Sequence, residues 1–509
     1  MITRVYSGSV YGTEANLVEV EVRTARGKQS FEVIGLGDSA VRESRDRVQS
    51  ALKALGLKLP QRVLINLAPA DIRKEGSIFD LPMAVGILAA MGILDPAQVA
   101  TTPLHGELSL DGRLKPLRGA ILFVANAQRM GFEQVALPAF NLKEAGLIPK
   151  VEALGFNNLE EVIRYFREGL IPEPRQESES GCSSPLKIGP GLEEVAGQAR
   201  AKRALHIAAS GGHNVLMLGP PGCGKSMMAE RFVSILPPMQ DSEIQDSVFL
   251  HSLCGNNISA LLRGERTVRS PHHVISEAGL IGGGSVPKPG EISLAHNGVL
   301  FLDEFPEFRR AAIESLRAPL ETGRVTVSRV KTSVTFPARF QLLAAMNPCP
   351  CGRLGLNEES CRCTRSAIAN YLKKVSEPIL DRIDLQVELE AVPVEDIFKE
   401  VTPGPQSKVA FSREDAQEAR SRAIKRFGCL NKDLSMAKLR AGVGLSDSAE
   451  KTLINSAKRL KLSGRGYVRV IKVARTIADI EADDTINQSH IAEALSYRGL
   501  DRIREYSLS

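Results

Sequence analysis

The chain has no uncharged apolar run long enough to cross a bilayer. Its longest, Leu81 to Leu94, falls short of the ~20 residues a spanning helix needs and is interrupted by Pro82 and two glycines. It reads as a buried core helix. The opening residues, Met1-Ile2-Thr3-Arg4-Val5, lack the charged-then-apolar pattern of a secretory signal. Together these absences lead to the expectation of a cytoplasmic protein with no membrane partner. Cysteine is scarce: eight in 509 residues is no disulfide scaffold. No repeat of solenoid period is visible. Charge is nearly balanced, with 65 Lys and Arg against 59 Asp and Glu, a net +6 far from that of a histone-like binder. Composition excludes a collagen-like, coiled-coil or wholly disordered chain.

What is present is enough chain for about three domains at roughly 100–200 residues each. The stretch Glu173 to Ser184 is polar, aperiodic and preceded by Pro172, as an exposed linker would be. Before it, strands and helices mix. Val18 to Val22 alternates with period two, Arg62 to Leu67 is a second strand, and Ser39 to Leu55 has helical spacing. Asp111-Gly112 is the turn pair of a hairpin over Gly106 to Leu114, followed by a helix over Arg118 to Met130. After the linker, strand and helix alternate, which predicts a parallel sheet covered on both faces. Its strands are Val215 to Leu218, Gly298 to Leu302 and Phe340 to Ala345. From about Ala410 the pattern is helical throughout, strongest over Tyr467 to Ile480.

Gly219-Pro220-Pro221-Gly222-Cys223-Gly224-Lys225-Ser226 fits G-x-x-x-x-G-K-[ST] between an apolar strand and a helix. Such a loop turns backbone N–H groups around phosphates. Lys225 brings charge to the β- and γ-phosphates of ATP, and Ser226 is a Mg²⁺ ligand. A second apolar strand ends in Asp303-Glu304. Asp303 is placed to hold Mg²⁺ through water, and Glu304 to polarise the attacking water. Asn347, at the end of the third strand, can position that water; the alternative is a turn-forming Asn before Pro348. Arg382, within Leu380 to Asp384, either reaches a neighbouring subunit's γ-phosphate or pairs locally with Asp381 or Asp384.

These residues resemble an AAA+ ATPase of the helix-2-insert group. Pro271-His272-His273, Ala278 to Gly284, Pro287 to His296 and Ala474 to Asp479 resemble, more closely, the magnesium-chelatase-like YifB/ComM family along essentially the whole chain. That resemblance implies a homo-hexameric helicase driving branch migration during natural transformation. Its partners would be single-stranded and branched DNA and recombinase-loading proteins. The resemblance also makes Arg382 a finger acting on a neighbour and places a sensor-2 Arg in Ser463 to Arg469, with Arg465 ahead of Arg469.

Arg73 to Pro82 and Gly106 to Gly119 resemble the proteolytic domain of Lon, which works through a Ser–Lys dyad. The lysine position falls on Ile121 and the serine position near Ile78, beside Ser77. Ile121 accepts no proton, so the fold is expected without the peptidase. Lon-like domains without the dyad also occur in recombination ATPases, where the resemblance implies a hexamerisation and DNA-guiding ring.

The fold class expected is therefore α/β. Residues 1–172 form a Lon-protease-like α+β domain and 173–188 a linker. Residues 189–400 form the AAA+ P-loop parallel-sheet core with its insert, and 401–509 a helical lid.

Four cysteines, Cys349, Cys351, Cys361 and Cys363, supply four thiolates on two short C-x-C arms, apt for a structural Zn²⁺. Tighter than the usual C-x₂-C, they also fit four unmetallated thiols in a reducing compartment. A motor needs a grip on its polymer. One candidate is a hairpin over Arg324 to Phe336 with Arg329 and Lys331 near its tip, which also fits an edge protected by cations. The other is the loop Ile281 to Gly284, whose Gly282 and Gly283 allow close approach or simply connect. His272 and His273 read as packing or hydrogen-bonding residues rather than ligands. Ala410 to Ser509 carries 19 Lys and Arg against 13 Asp and Glu, which suits nucleic acid and a solvated helical face alike.

Three functions compete on the sequence. The first is an ATP-driven motor on branched DNA. The second is a chelatase-type subunit remodelling a protein partner, and the third a Lon-like protease with its own unfoldase.

Overall fold

A computed structural model describes residues 2–12, 14–35, 39–70, 74, 76–172, 191–284, 287–328, 333–354, 361–390 and 411–498. The linker 173–188 and the hairpin candidates Arg329 and Lys331 lie outside the described residues.

The N-terminal part is built on a four-stranded sheet in the order Ile2–Tyr11, Glu14–Ala25, Arg62–Ala68, Ser30–Ile34. The first three run antiparallel and the last pairs in parallel. Alternation in sequence becomes alternation in burial: Val18, Val20 and Val22 are sealed, as are Val63, Ile65 and Leu67 opposite them. Each such side chain contributes roughly 1.5–3 kcal/mol. The run that lacked membrane length is the helix Asp80–Ala90, buried along nearly its whole length against this sheet. It has no polar face because it has no wet side. The expected hairpin forms as Glu107–Leu108 against Leu114–Lys115, and the helix after it spans Ala120–Arg129.

The second part holds a five-stranded sheet in the order Val268–Arg269, Val299–Leu302, Gln341–Met346, Val215–Leu218, Leu385–Glu388, every pair parallel. Three of these strands are buried at every residue, as a sheet covered on both faces requires. Val215, Met217, Leu343 and Ala345 face the C-terminal helices, sharing one core with Ala474, Ile477 and Ile491. Leu216, Leu218, Leu300 and Leu342 face the other way, onto Val325, Val327 and Phe336. Those belong to the hairpin Arg324–Ser328 with Ser333–Pro337. The helices Arg413–Phe427, Asp447–Arg459, Gly464–Ile480 and Gln488–Ser496 thus complete the sheet's core rather than forming a core of their own. At the sheet's edge, the N–H of Gln386 donates to the carbonyl of Tyr497 at 3.0 Å.

The stretch expected as a glycine loop is a short ribbon instead, Gly282–Gly283 paired antiparallel with Lys288–Pro289. Gly282 has φ +117°, and a β-carbon there would overlap the carbonyl of Lys288. Its freedom is used within the ribbon.

The two parts meet through side chains. Ile121 is buried with Met239, Val248 and Leu261 of the second part. The N–H of Gly119 donates to the hydroxyl of Ser252 at 2.8 Å. Ile121 is therefore a packing contact between the two parts.

Candidate nucleotide site

Parallel strands end together, so the loops after them converge on one crevice. The loop after Val215–Leu218 carries Gly219 to Gly224 and runs into the helix Lys225–Arg231. Gly222 and Gly224 have φ of +77° and +89°, and nothing crowds the place of a β-carbon at either. Glycine is needed there for the backbone turn, not for space. Lys225 folds over its own loop: Nζ donates to the carbonyls of Gly219 and Pro220 at 2.7 and 2.8 Å, and to Oδ1 of Asn347 at 3.1 Å. Burial lowers the Lys225 pKa, while Cys223, Asp303 and Glu304 oppose the shift. A phosphate arriving here would supply the missing negative charge.

The neighbouring strand Val299–Leu302 delivers the carboxylates. Asp303 accepts from the Ser226 hydroxyl at 2.6 Å and from the Glu304 N–H at 2.8 Å. Two hard oxygen donors in contact at a crevice mouth suit Mg²⁺, which takes few protein ligands and keeps its waters. Glu304 sits at φ +50° with its side chain largely exposed. Lys225 is thus bonded to Asn347 and Ser226 to Asp303, with Glu304 beside them. The side chain of Asn347 meets Lys225.

The arginines lie elsewhere. Arg382 pairs with Glu321 at 2.6 Å, and Arg465 approaches the same carboxylate at 4.0 Å. The Arg382 guanidinium holds the Glu321 carboxyl below the usual range. Neither local partner expected for Arg382 is used: Asp381 takes Arg469 at 2.9 Å, and Asp384 lies 3.4 Å from His213. Arg469 also donates to the carbonyls of Leu380 and Ile383, so it braces the wall and is not a free sensor. Among the described residues, no hydrogen bond or ion pair joins Arg382 or Arg465 to the phosphate loop of the same chain.

The four cysteines gather. Sγ separations are 3.3 Å for Cys349–Cys351 and 3.7 Å from Cys361 to each of these, and Cys363 completes the group within 4.8 Å. Desolvation raises the Cys351 pKa, but hydrogen bonds from the Arg353 N–H and from the neighbouring thiols outweigh it, bringing the thiol down to about 6.

Two site residues escaped the sequence. His273, read there only as a packing or hydrogen-bonding residue with no partner named, has Nδ1 3.4 Å from Glu304 and its ring beside that of His272. The signal was its place just after the edge strand Val268–Arg269, where loops face the site. Gln198, left-handed at φ +54°, donates to the carbonyls of Cys223 and Glu390. No motif marks it.

Three family models match the chain. "Magnesium chelatase, subunit ChlI" covers residues 191–397, "Subunit ChlI of Mg-chelatase" residues 20–141, and "Magnesium chelatase, subunit ChlI C-terminal" residues 407–498. Competence protein ComM of Haemophilus influenzae is 40% identical over 502 residues, covering 98% of each chain. The protein YifB of Escherichia coli is 40% identical over 500 residues, covering 98% of this chain and 97% of its own. Lon protease 2 of Bacillus subtilis is 27% identical over 176 residues, 30% of this chain and 31% of its own.

Proposed function

The chain belongs to the YifB/ComM family of magnesium-chelatase-like AAA+ ATPases, and from that premise we propose that it is an ATP-driven DNA motor that promotes branch migration in recombination during natural transformation. It works in the cytoplasm as a ring of six, on single-stranded and branched DNA delivered with recombinase-loading partners. The observation that carries the catalytic half is the hydrogen-bonded set of Lys225, Ser226, Asp303 and Asn347 beside Glu304. Lys225 holds the β- and γ-phosphates of ATP. Ser226 and Asp303 hold Mg²⁺, which neutralises the developing charge. Glu304 polarises the attacking water and Asn347 orients it.

The ring reading is supported by the arginines. Arg382 and Arg465 converge on Glu321, with no bond to their own phosphate loop among the described residues. On this reading they serve the ATP of the adjacent subunit, where such an arginine can be worth roughly 10³–10⁵ in rate. The hairpin Arg324–Ser328 with Ser333–Pro337 lies under the same sheet, and Arg329 and Lys331 between its strands grip the phosphate backbone. The four cysteines hold a structural Zn²⁺. The domain limits proposed are 1–172, 189–400 and 401–509, with 173–188 as linker.

The test is an ATPase assay without DNA, with linear single strands and with a mobile junction, scored in parallel for junction dissociation, with Lys225→Ala as control. DNA-stimulated hydrolysis with ATP-dependent dissociation is expected. A rate indifferent to DNA would favour the second reading, a chelatase-type subunit remodelling a protein partner. That reading draws on the three chelatase-subunit models that match along the chain.

A further inference from the structure

We infer that the four-cysteine centre is the anchor that fixes the nucleotide site: a zinc ion there locks Asn347 and the phosphate loop into their binding geometry. The inference rests on the reading of these thiols as zinc ligands and of the crevice as an ATP site, and adds the coupling between them.

The thiols fit the metal. With Zn–S bonds of about 2.3 Å, a tetrahedron has S–S edges of roughly 3.8 Å. The two 3.7 Å separations match such edges and the 3.3 Å one needs only a small outward shift. All four ligands are sulfur, leaving no open position for chemistry, so the centre is a staple.

Each arm of the staple is tied to the ATP site by a different route. The first arm begins two residues after Asn347, whose Oδ1 accepts from Lys225. Cys349 is fully buried in the core beneath the sheet, and its carbonyl accepts from the Gly352 N–H at 3.0 Å. Gly352 has φ +76°, and a β-carbon there would stand 2.5 Å from Cδ of Pro221 and 3.7 Å from Cγ of Asn347. The cysteine loop therefore rests directly on the phosphate loop. The second arm, Cys361 to Cys363, leads through the cap residue Thr364 into the helix Arg365–Leu372. On that helix Ile368 and Tyr371 are buried in one core with Cys349 and with Met346, the neighbour of Asn347. Asn347 thus lies between the first arm and the core that the helix of the second arm helps to build, and the sulfur cluster joins the two. Losing the metal would leave the two arms joined by that packing alone.

The test uses the full-length protein. Metal analysis is expected to give about one zinc per chain, as four thiolates imply. Binding of a fluorescent ATP analogue is then compared in wild type, Cys361→Ser and Gly352→Ala. Cys361→Ser should lose the zinc and weaken analogue binding roughly 10–100-fold, the worth of one charge-assisted hydrogen bond left loose. Gly352→Ala should keep the zinc and weaken binding by pressing on Pro221. Stripping zinc from wild type should reproduce the first defect, and returning it should restore affinity. Wild type without zinc, or zinc loss with unchanged affinity, overturns the inference while leaving the ATPase reading intact. If Cys361→Ser does not fold, the stripping and Gly352→Ala arms decide. Wild type that binds zinc but no ATP analogue overturns the inference together with the ATP-site reading.

Discussion

Two regions of this chain carry the outline of a catalytic apparatus, and they have opposite relations to water. At the ends of the parallel strands, polar groups are bonded to one another and still open to a ligand: Ser226 to Asp303, Lys225 to Asn347, with Glu304 exposed beside them. In the Lon-like part, Ile121, where the resemblance to Lon would put the dyad lysine, is buried between the two parts. The hydroxyl of Ser77, one residue from where that resemblance would put the serine, donates to Glu107, whose other oxygen is paired with Lys115 at 2.8 Å. A nucleophile must meet a base that can take its proton; Ser77 meets a carboxylate already claimed by a lysine.

The sharpest way to break this comparison is to change one carboxylate and one hydrophobe. Glu304→Gln should cut ATP turnover roughly 10²–10⁴-fold in a coupled ATPase assay and leave the unfolding midpoint unchanged. Branch migration persisting without hydrolysis would refute the motor. Ile121→Lys restores the dyad's residue type, yet should give no peptidase activity on an unfolded protein. It should instead cost about 3 kcal/mol or more in chemical denaturation by burying an unpaired charge. ATP-dependent cleavage by that variant, or by wild type, would overturn the contrast.

A subtler effect comes from His105, buried in the Lon-like part with its ring stacked on Phe123 at 4.3 Å. Desolvation lowers its pKa to about 3, against about 6.5 in the unfolded chain. A depressed pKa means the stabilisation is present in full above pH ~6.5 and is lost as pH falls toward the folded value. Acid unfolding of wild type should therefore steepen below pH ~6.5, and His105→Phe should flatten the curve. The smallest effect expected is that of Ser77→Ala. It removes one partly buried hydrogen bond, worth about 1 kcal/mol or less, and leaves ATPase untouched.

How much of this was legible in the sequence follows from distance along the chain. The phosphate loop and Asp303-Glu304 are contiguous motifs on strands whose apolar runs announce them, so each could be located before their contact was known. The sheet was legible for the same reason. What escaped were meetings of residues far apart. Glu321 collects Arg382 and Arg465, His273 reaches Glu304, and Tyr371 packs in one core with Cys349. No local period encodes such pairs. The glycine ribbon was missed because three glycines read as freedom, although Gly282 spends its freedom on Lys288.

The bond from Gln386 to Tyr497 has a consequence for how copies of this chain meet. Leu385–Glu388 is the last strand of the parallel sheet, and an unguarded border strand invites the backbone of any passing molecule. Here Tyr497 and Arg498, just past the helix Gln488–Ser496, lie along part of that border and satisfy the Gln386 N–H. A backbone arriving from outside finds that stretch already taken.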